Sequence, residues 1–459
     1  MNRFRTALAA AYLVLCLVLG GASAGGAMGN GILQILALII ILLHIWSRGA
    51  PPLPSNGRVL VLLFAIFAAV AALQLVPIAS ALWGQLPGRD VAVRSLALLR
   101  LDPVTMPASL DPRRTLASLL WLLPPAAMFL VATRLTRDER SVVAKVLLAV
   151  AVATIALGAL QLFGGSASPL RFYEITSPER SVGFFSNPNH VATLLLCSLP
   201  FAVLFVARAK KKDGRAREGR GFIYAGTAIF LAIGIAINGS LAGYGLLIPT
   251  AAASLFLYRR TTVGKANKRT WWTIAVAAVL FTGISAFGPL NDQRIASKFD
   301  GSNTVGRKIS IPTTIEAAKD YFPIGSGLGT FRDIYRTYEP AEDVTNVYVN
   351  HAHNDYAEFA LELGMPGLLL ILAFLWWWGS RSLAAWRDEY DGAALARAGS
   401  IAIGVVLLHS LVDYPLRTSA IAALIALCAG FMIQPPAPRS RASRNSQQVQ
   451  ARHFDAETA

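Results

Sequence analysis

The run His351-Ala352-His353-Asn354-Asp355-Tyr356-Ala357-Glu358-Phe359-Ala360-Leu361-Glu362-Leu363-Gly364-Met365-Pro366-Gly367 gathers two imidazoles, an amide and three carboxylates in one short stretch. Asn354, Glu358 and the approach to Glu362 repeat at four-residue spacing. They therefore share a face of a short helix, which Gly364 and Pro366 end. The histidines stand just before it. A His-x-His pair suits a metal ion, although no third ligand follows at a convincing spacing. A neutral imidazole held by an amide or a carboxylate is equally suited to take a proton from an attacking hydroxyl.

Two other stretches suit an anion. In Arg180-Ser181-Val182-Gly183-Phe184-Phe185-Ser186-Asn187-Pro188-Asn189-His190, the Asn187-Pro188 pair reads as the start of a helix. Free N–H groups and the positive end of the helix dipole gather there beside Arg180 and Asn189. A capped helix with an interfacial arginine reads the same way. Farther on, Gly306-Arg307 opens an amphipathic helix expected from Arg307 to Tyr321. Pro323-Ile324-Gly325-Ser326-Gly327-Leu328-Gly329-Thr330-Phe331 follows, then Arg332. Its glycines permit either a tight turn or close approach to a phosphate.

The elements that position these residues are set by a strongly apolar chain. Of 459 residues, 54% are hydrophobic and 15% charged, with mean hydropathy +0.51. Soluble domains carry about 25% charged residues. A bilayer span needs about 20 apolar residues, and a helix satisfies its own backbone groups there. Twelve such runs are expected, near residues 7–21, 31–46, 59–78, 116–132, 142–163, 191–207, 222–237, 241–258, 271–287, 365–379, 398–411 and 418–433. The fold class is thus all-α, a polytopic membrane helix bundle. Nine spans occupy 1–287, interrupted by an external loop at 80–115, and a large external loop with the candidate site occupies 288–364. Three more spans fill 365–433, and a polar, disordered cytoplasmic tail is expected at 434–459.

With the N-terminus inside, cytoplasmic segments hold 27 of the 42 Lys and Arg residues and 9 of the 26 acids, leaving 15 and 17 outside. The two basic loops at 208–221 and 259–270 are topology signals, so the net charge of +16 calls for membrane lipids and not nucleic acid. Arg3 and Arg5, an apolar run and Ala22-Ser23-Ala24 resemble a signal peptide; an uncleaved first span is preferred. Cys16, Cys197 and Cys428 fall in apolar runs with no metal or disulfide pattern and read as core. Acids and bases are missing from the span centres, where ion-coupled transporters need them. His44 and His409 are the exceptions, near span ends. There is no nucleotide-binding motif either.

Taken together and in this order, the Arg180-to-His190, Gly306-Arg307, glycine and His351-to-Gly367 segments resemble the O-antigen ligase and polymerase superfamily. Trp83-Gly84-Gln85-Leu86-Pro87-Gly88-Arg89 and His409-Ser410-Leu411-Val412-Asp413-Tyr414-Pro415-Leu416-Arg417 are similar to a polysaccharide-export branch of it. The resemblance implies an inner-membrane glycosyltransferase with a periplasmic active face. It would move a glycan from an undecaprenyl-pyrophosphate donor to a glycan, lipid A core or protein acceptor, with neither metal nor other cofactor. It also implies catalytic roles for His353, Arg307 and Arg180, with His351, Asn354, Glu358, Arg332 and Asn189 binding substrate. One departure stands out. Relatives commonly show Ser-Arg-Gly at the external turn between the seventh and eighth spans, where this chain has Asn238-Gly239-Ser240-Leu241-Ala242-Gly243. Leu241 removes a pyrophosphate-binding charge, which either Arg180 or Arg332 replaces, or activity is altered. A non-catalytic or transport-class partner of polysaccharide export is the alternative reading.

The charge division predicts sidedness. A cysteine placed at Ser302 should react with a membrane-impermeant thiol reagent added outside, and one at Gly214 should not. The reverse pattern would put the candidate site on the wrong side of the bilayer.

Overall fold

The computed structural model describes residues 3–23, 26–46, 53–211, 215–263, 303–344, 348–388 and 391–433. The expected ninth span, at 271–287, and the tail lie outside the described residues. Among those described, the chain is mostly helical, and eight helices are long and apolar enough to cross a membrane. Helices α1 (Arg3–Leu19), α2 (Ala27–Trp46) and α3 (Ser55–Leu73) lead into the first of the two segments expected outside the membrane, the outer segment. That segment is not wholly helical. Strands β1 (Pro77–Ala79) and β2 (Thr105–Pro107) pair antiparallel and bracket α4 (Ser80–Trp83) and α5 (Asp90–Leu98). The ribbon departs from the all-α expectation, because three-residue strands give too short an alternation to show in sequence.

The fourth expected span is built from two pieces, α6 (Pro112–Leu120) and α7 (Leu123–Thr133). Pro124 and Pro125 lack the N–H groups that would continue the first helix, yet suit the opening turn of the second. Asp111 caps α6, its Oδ1 accepting from the N–H groups of Arg113 and Arg114 at 3.0 and 3.1 Å. Next come α8 (Arg137–Phe163), α9 (Pro188–Lys211), α10 (Arg215–Asn238) and α11 (Leu241–Val263). Nearly all of α9 is buried, whereas α2, α3 and α10 turn most of their apolar residues outward, as lipid-facing helices do. Helix α12 spans Asn303–Tyr321 and α13 Phe331–Tyr338.

Helix α14 (Asp355–Arg387) joins the short polar helix end to end with the following span. The corner is Gly364, at φ 59° and ψ −139°, where an added Cβ would meet the Pro323 carbonyl oxygen at 2.2 Å. The Met365 N–H donates to that same carbonyl at 2.8 Å, so only glycine fits. Helices α15 (Ala394–His409) and α16 (Ser419–Met432) close the bundle. All three cysteines are buried and free. Ser23 is tied to two distant segments: its carbonyl accepts from Asn350 Nδ2 at 2.6 Å and its N–H donates to Ser186 Oγ at 2.9 Å. Cleavage next to it would cut the chain at a bonded point.

The outer segment is fastened by Arg89, which is fully buried. Its guanidinium donates to the carbonyls of Pro87, Ala108 and Gly325 and stacks between the Trp83 and Tyr321 rings, 5.7 and 5.5 Å from their centroids. Burial pushes its pKa down to about 10, so it stays charged at neutral pH. Gln74, at the end of α3, adds a second tie, accepting from the Leu328 N–H at 2.9 Å and donating to the Glu362 carbonyl at 3.0 Å. Arg89→Met keeps the stem but strands three carbonyls, each costing about 1–3 kcal/mol. The purified variant should unfold several degrees lower, and Arg89→Lys should recover only part of the loss. An unchanged unfolding temperature for Arg89→Met would show that the outer segment is held by other contacts.

Candidate active site

The short polar helix at the start of α14 carries the site. Asn354 is its N-cap, the side chain accepting from the Ala357 N–H at 2.9 Å and donating to the Leu411 carbonyl at 2.9 Å. Asp355, Glu358 and Glu362 follow on one helix face, and all are buried. They converge on Arg417, which arrives in the turn Pro415–Arg417 before α16. Its Nη1 stands 2.8 Å from Glu362 Oε2 and 3.4 Å from Glu358 Oε1, and its Nε 3.7 Å from Asp355 Oδ1. The guanidinium also lies over the Phe359 ring at 5.0 Å. The carboxylates raise its pKa above the usual arginine range, against the pull of burial. Backbone N–H groups complete the set: Ala352 donates to Glu358, Phe331 to Glu362 and Leu416 to Asp355.

The two histidines each meet a carboxylate through Nδ1. His351 reaches Glu358 Oε1 at 2.8 Å and His353 reaches Asp413 Oδ1 at 3.0 Å. His351 Nε2 also lies 3.3 Å from the Ser23 carbonyl. Both ring nitrogens of His351 therefore face oxygen acceptors. His353 has one nitrogen directed at Asp413, which holds the proton on Nδ1 and leaves Nε2 the basic nitrogen. Its backbone is left-handed, φ 54°, an uncommon conformation for a non-glycine residue and one that collects at functional sites. The Tyr414 ring touches three imidazoles, with centroids 4.4 Å from His351, 5.0 Å from His353 and 5.2 Å from His190. Among the described residues, no three His, Cys, Asp or Glu side chains converge as metal ligands would.

The remaining candidates fall in separate places. Arg180 reaches the turn between α10 and α11. A Cβ on Gly239, itself at φ 78°, would meet Arg180 Nη1 at 2.2 Å. The guanidinium thus lies at the turn that carries Leu241, which is itself buried. Asn189 is buried and braces the same turn, its Oδ1 accepting from Ser240 Oγ at 2.7 Å. Arg332 lies over the Tyr348 ring at 3.9 Å. The backbone of Arg307 belongs to α12, but its side chain lies outside the described ones.

A cavity of about 510 Å³ joins part of this set to the bundle. Arg114, Arg332, His351, Glu358, Glu362 and Arg417 give it a polar lining, and Phe64 and Phe67 of α3, Pro125 of α7 and Phe374 of α14 an apolar one. On α16 its lining runs from Ser419 to Ala429, about 15 Å along the helix at 1.5 Å per residue. His353, Asn354, Arg180 and Asn189 are not lining residues. Asp413, Tyr414 and Arg417 are what the sequence reading passed over as site residues. Their signal in the sequence is the His409-to-Arg417 segment, whose resemblance to the polysaccharide-export branch gives these three residues no role.

Residues 226–372 match the family model of the O-antigen ligase. The matched stretch holds the Asn238-to-Gly243 turn, Arg307, the glycine segment and the His-x-His-Asn helix. It supports the O-antigen ligase and polymerase superfamily that the motifs resemble, and with the apolar helices it describes a multi-pass membrane protein of a glycosyl-transferring class. No curated protein matches the chain.

Arg417 is the cation for three buried carboxylates, and removing one partner of such a group costs about 3–5 kcal/mol. In Arg417→Met the carboxyls, buried without a cation, take up protons on folding, so the variant is weakest at high pH and its deficit narrows as pH falls. Thermal unfolding of purified protein at acid and neutral pH checks this. A deficit independent of pH would assign Arg417 a packing role only.

Proposed function

We propose that this protein is an inner-membrane glycosyltransferase, transferring a glycan from an undecaprenyl-pyrophosphate donor to an acceptor hydroxyl at the periplasmic face, in cell-surface polysaccharide synthesis. The observation that carries the reading is His353, oriented through Nδ1 by Asp413, two residues from His351, which lines a cavity that pairs arginines with a long apolar lining. A lipid pyrophosphate has that same division of polar head and apolar chain.

In the proposed step, His353 Nε2 takes the proton of the acceptor hydroxyl as its oxygen bonds to the anomeric carbon. The bond from that carbon to the pyrophosphate oxygen breaks, and the electron pair leaves with the pyrophosphate. A single displacement inverts the anomeric centre and requires no carboxylate nucleophile. A positioned base contributes about 10²- to 10⁴-fold. Each preorganised contact to the developing charge contributes about 10²- to 10³-fold. Arg332 in the cavity and Arg307, by resemblance, are the proposed donors to the pyrophosphate. Arg180 at the Gly239 turn is the third, placed where the relatives' arginine is replaced by Leu241. Glu358 and His351 line the pocket, Asn354 caps the helix that carries Glu358, and Asn189 holds the turn. Neither metal nor nucleotide sugar enters the step. The acceptor is a repeat unit, lipid A core or a protein hydroxyl.

His353→Ala should lower transfer about 10²- to 10⁴-fold while leaving binding of the lipid-linked donor nearly intact. Asp413→Asn, which disturbs the orientation of that imidazole, should cost less, and His351→Ala less again. Arg307→Lys should be severely impaired, since an ammonium lacks the bidentate grip of a guanidinium on phosphate. Complementation of a deletion strain, paired with a donor-binding assay on purified variants, measures all four. Wild-type glycan levels from both His353→Ala and Arg307→Lys would overturn the site and favour a non-catalytic partner of polysaccharide export, the reading that Leu241 otherwise supports.

A further inference from the structure

Helix α5 sits outside the expected spans, yet none of its residues is buried. One face, Ala92, Ser95, Leu96 and Leu99, turns toward the β-ribbon across a cavity of about 410 Å³. The opposite face aligns Val91, Arg94 and Leu98 at helical spacing, and all three are exposed. The exposed apolar surface continues past the helix through Leu101 to Val104; Leu98 is 85% exposed and Val104 86%. A patch of this kind in water marks an interaction surface.

Three observations decide what covers it. The segment is an excursion between two membrane helices, and the outer end of α3 exposes Leu73 while α6 exposes Leu116 and Leu120, so lipid-facing surface flanks both ends. The exposed charges of the stretch are Arg94 and Arg100, with Asp90 at its start and Asp102 beside Leu101. Cations with long apolar stems reach from an apolar bed up to lipid phosphates. Finally, the helix starts at Asp90, directly after Arg89, whose guanidinium grips the Gly325 carbonyl. An element held at the membrane surface there is fixed rigidly to the glycine segment of the site.

We infer that α5 and the stretch to Val104 lie in the bilayer interface, in the leaflet on the side of the candidate site, with Val91, Leu98, Leu101 and Val104 among the acyl chains and Arg94 and Arg100 on anionic headgroups. The geometry is that of a helix lying in the membrane plane. It makes the outer segment a membrane-bound shelf that sets the height of the site over the lipid surface, whatever the substrate.

The test uses the full chain in nanodiscs of phosphatidylethanolamine and phosphatidylglycerol. Since Cys16, Cys197 and Cys428 are buried, a cysteine introduced at Leu98 takes an environment-sensitive fluorophore selectively; the exposed Glu316 of α12 gives a water-facing control. The Leu98 label should emit to the blue of the Glu316 label, be quenched by lipids carrying a shallow nitroxide, and resist aqueous iodide. In Arg94→Glu/Arg100→Glu the nitroxide quenching should fall and iodide quenching rise. Val104→Cys, read in the same way, covers a misfolded Leu98 variant. Iodide quenching at Leu98 equal to that at Glu316 would overturn the inference. Protection from both quenchers would also overturn it, assigning the face to a second copy or another protein.

Discussion

Three carboxylates on one face of a short helix, all removed from water, need a cation, and Arg417 is where the polypeptide supplies it. Without that charge, Asp355, Glu358 and Glu362 would repel one another and draw the helix end toward solvent. With it, the helix is pulled against the turn that precedes α16. The same turn brings Asp413 within reach of His353 and Tyr414 against the imidazoles. Glu358 then holds His351 and Glu362 holds the backbone of Phe331, so the glycine segment, the histidines and the last span are registered to one another through a single guanidinium.

The helices were legible because burial in lipid imposes a local rule. About 20 consecutive apolar residues announce a span wherever it packs, and Pro188, Gly364 and Asp111 punctuate their elements by chemistry local to the chain. The α6–α7 break falls inside one expected span, at 116–132, and follows from Pro124 and Pro125. The ion-pair registry is of another kind. Arg417 and Glu362 are 55 residues apart, and Arg89 and Gly325 are separated by 236. No periodicity connects such pairs, and their value arises only after both have left water. So the His-x-His-Asn helix is legible as chemistry in the sequence, with Glu358 on it, while the pairing of His353 with Asp413, 60 residues on, is not.

The Leu241 departure shows a related limit. Read along the chain, the turn between α10 and α11 has lost a cation. Read in space, Arg180 lays its guanidinium against Gly239, and Gly239 is the residue that makes room for it, since any side chain there would collide with the charge. The glycine and the distant arginine form one unit. The sequence offers Arg180 and Arg332 alike for this turn, and it is the contact with Gly239 that brings Arg180 to it.

Gly364 carries a further consequence. Its left-handed backbone, pinned by the Pro323 carbonyl, places a corner between the polar helix and the membrane span below it. An unbroken helix would make the pair behave as one rod, and any lean adopted to match a thicker or thinner bilayer would swing the three carboxylates away from Arg417. The corner instead turns the chain at a point held by the scaffold, so the direction of the span is set separately from that of the ionic face, and the register of the carboxylates with Arg417 does not depend on the two being collinear.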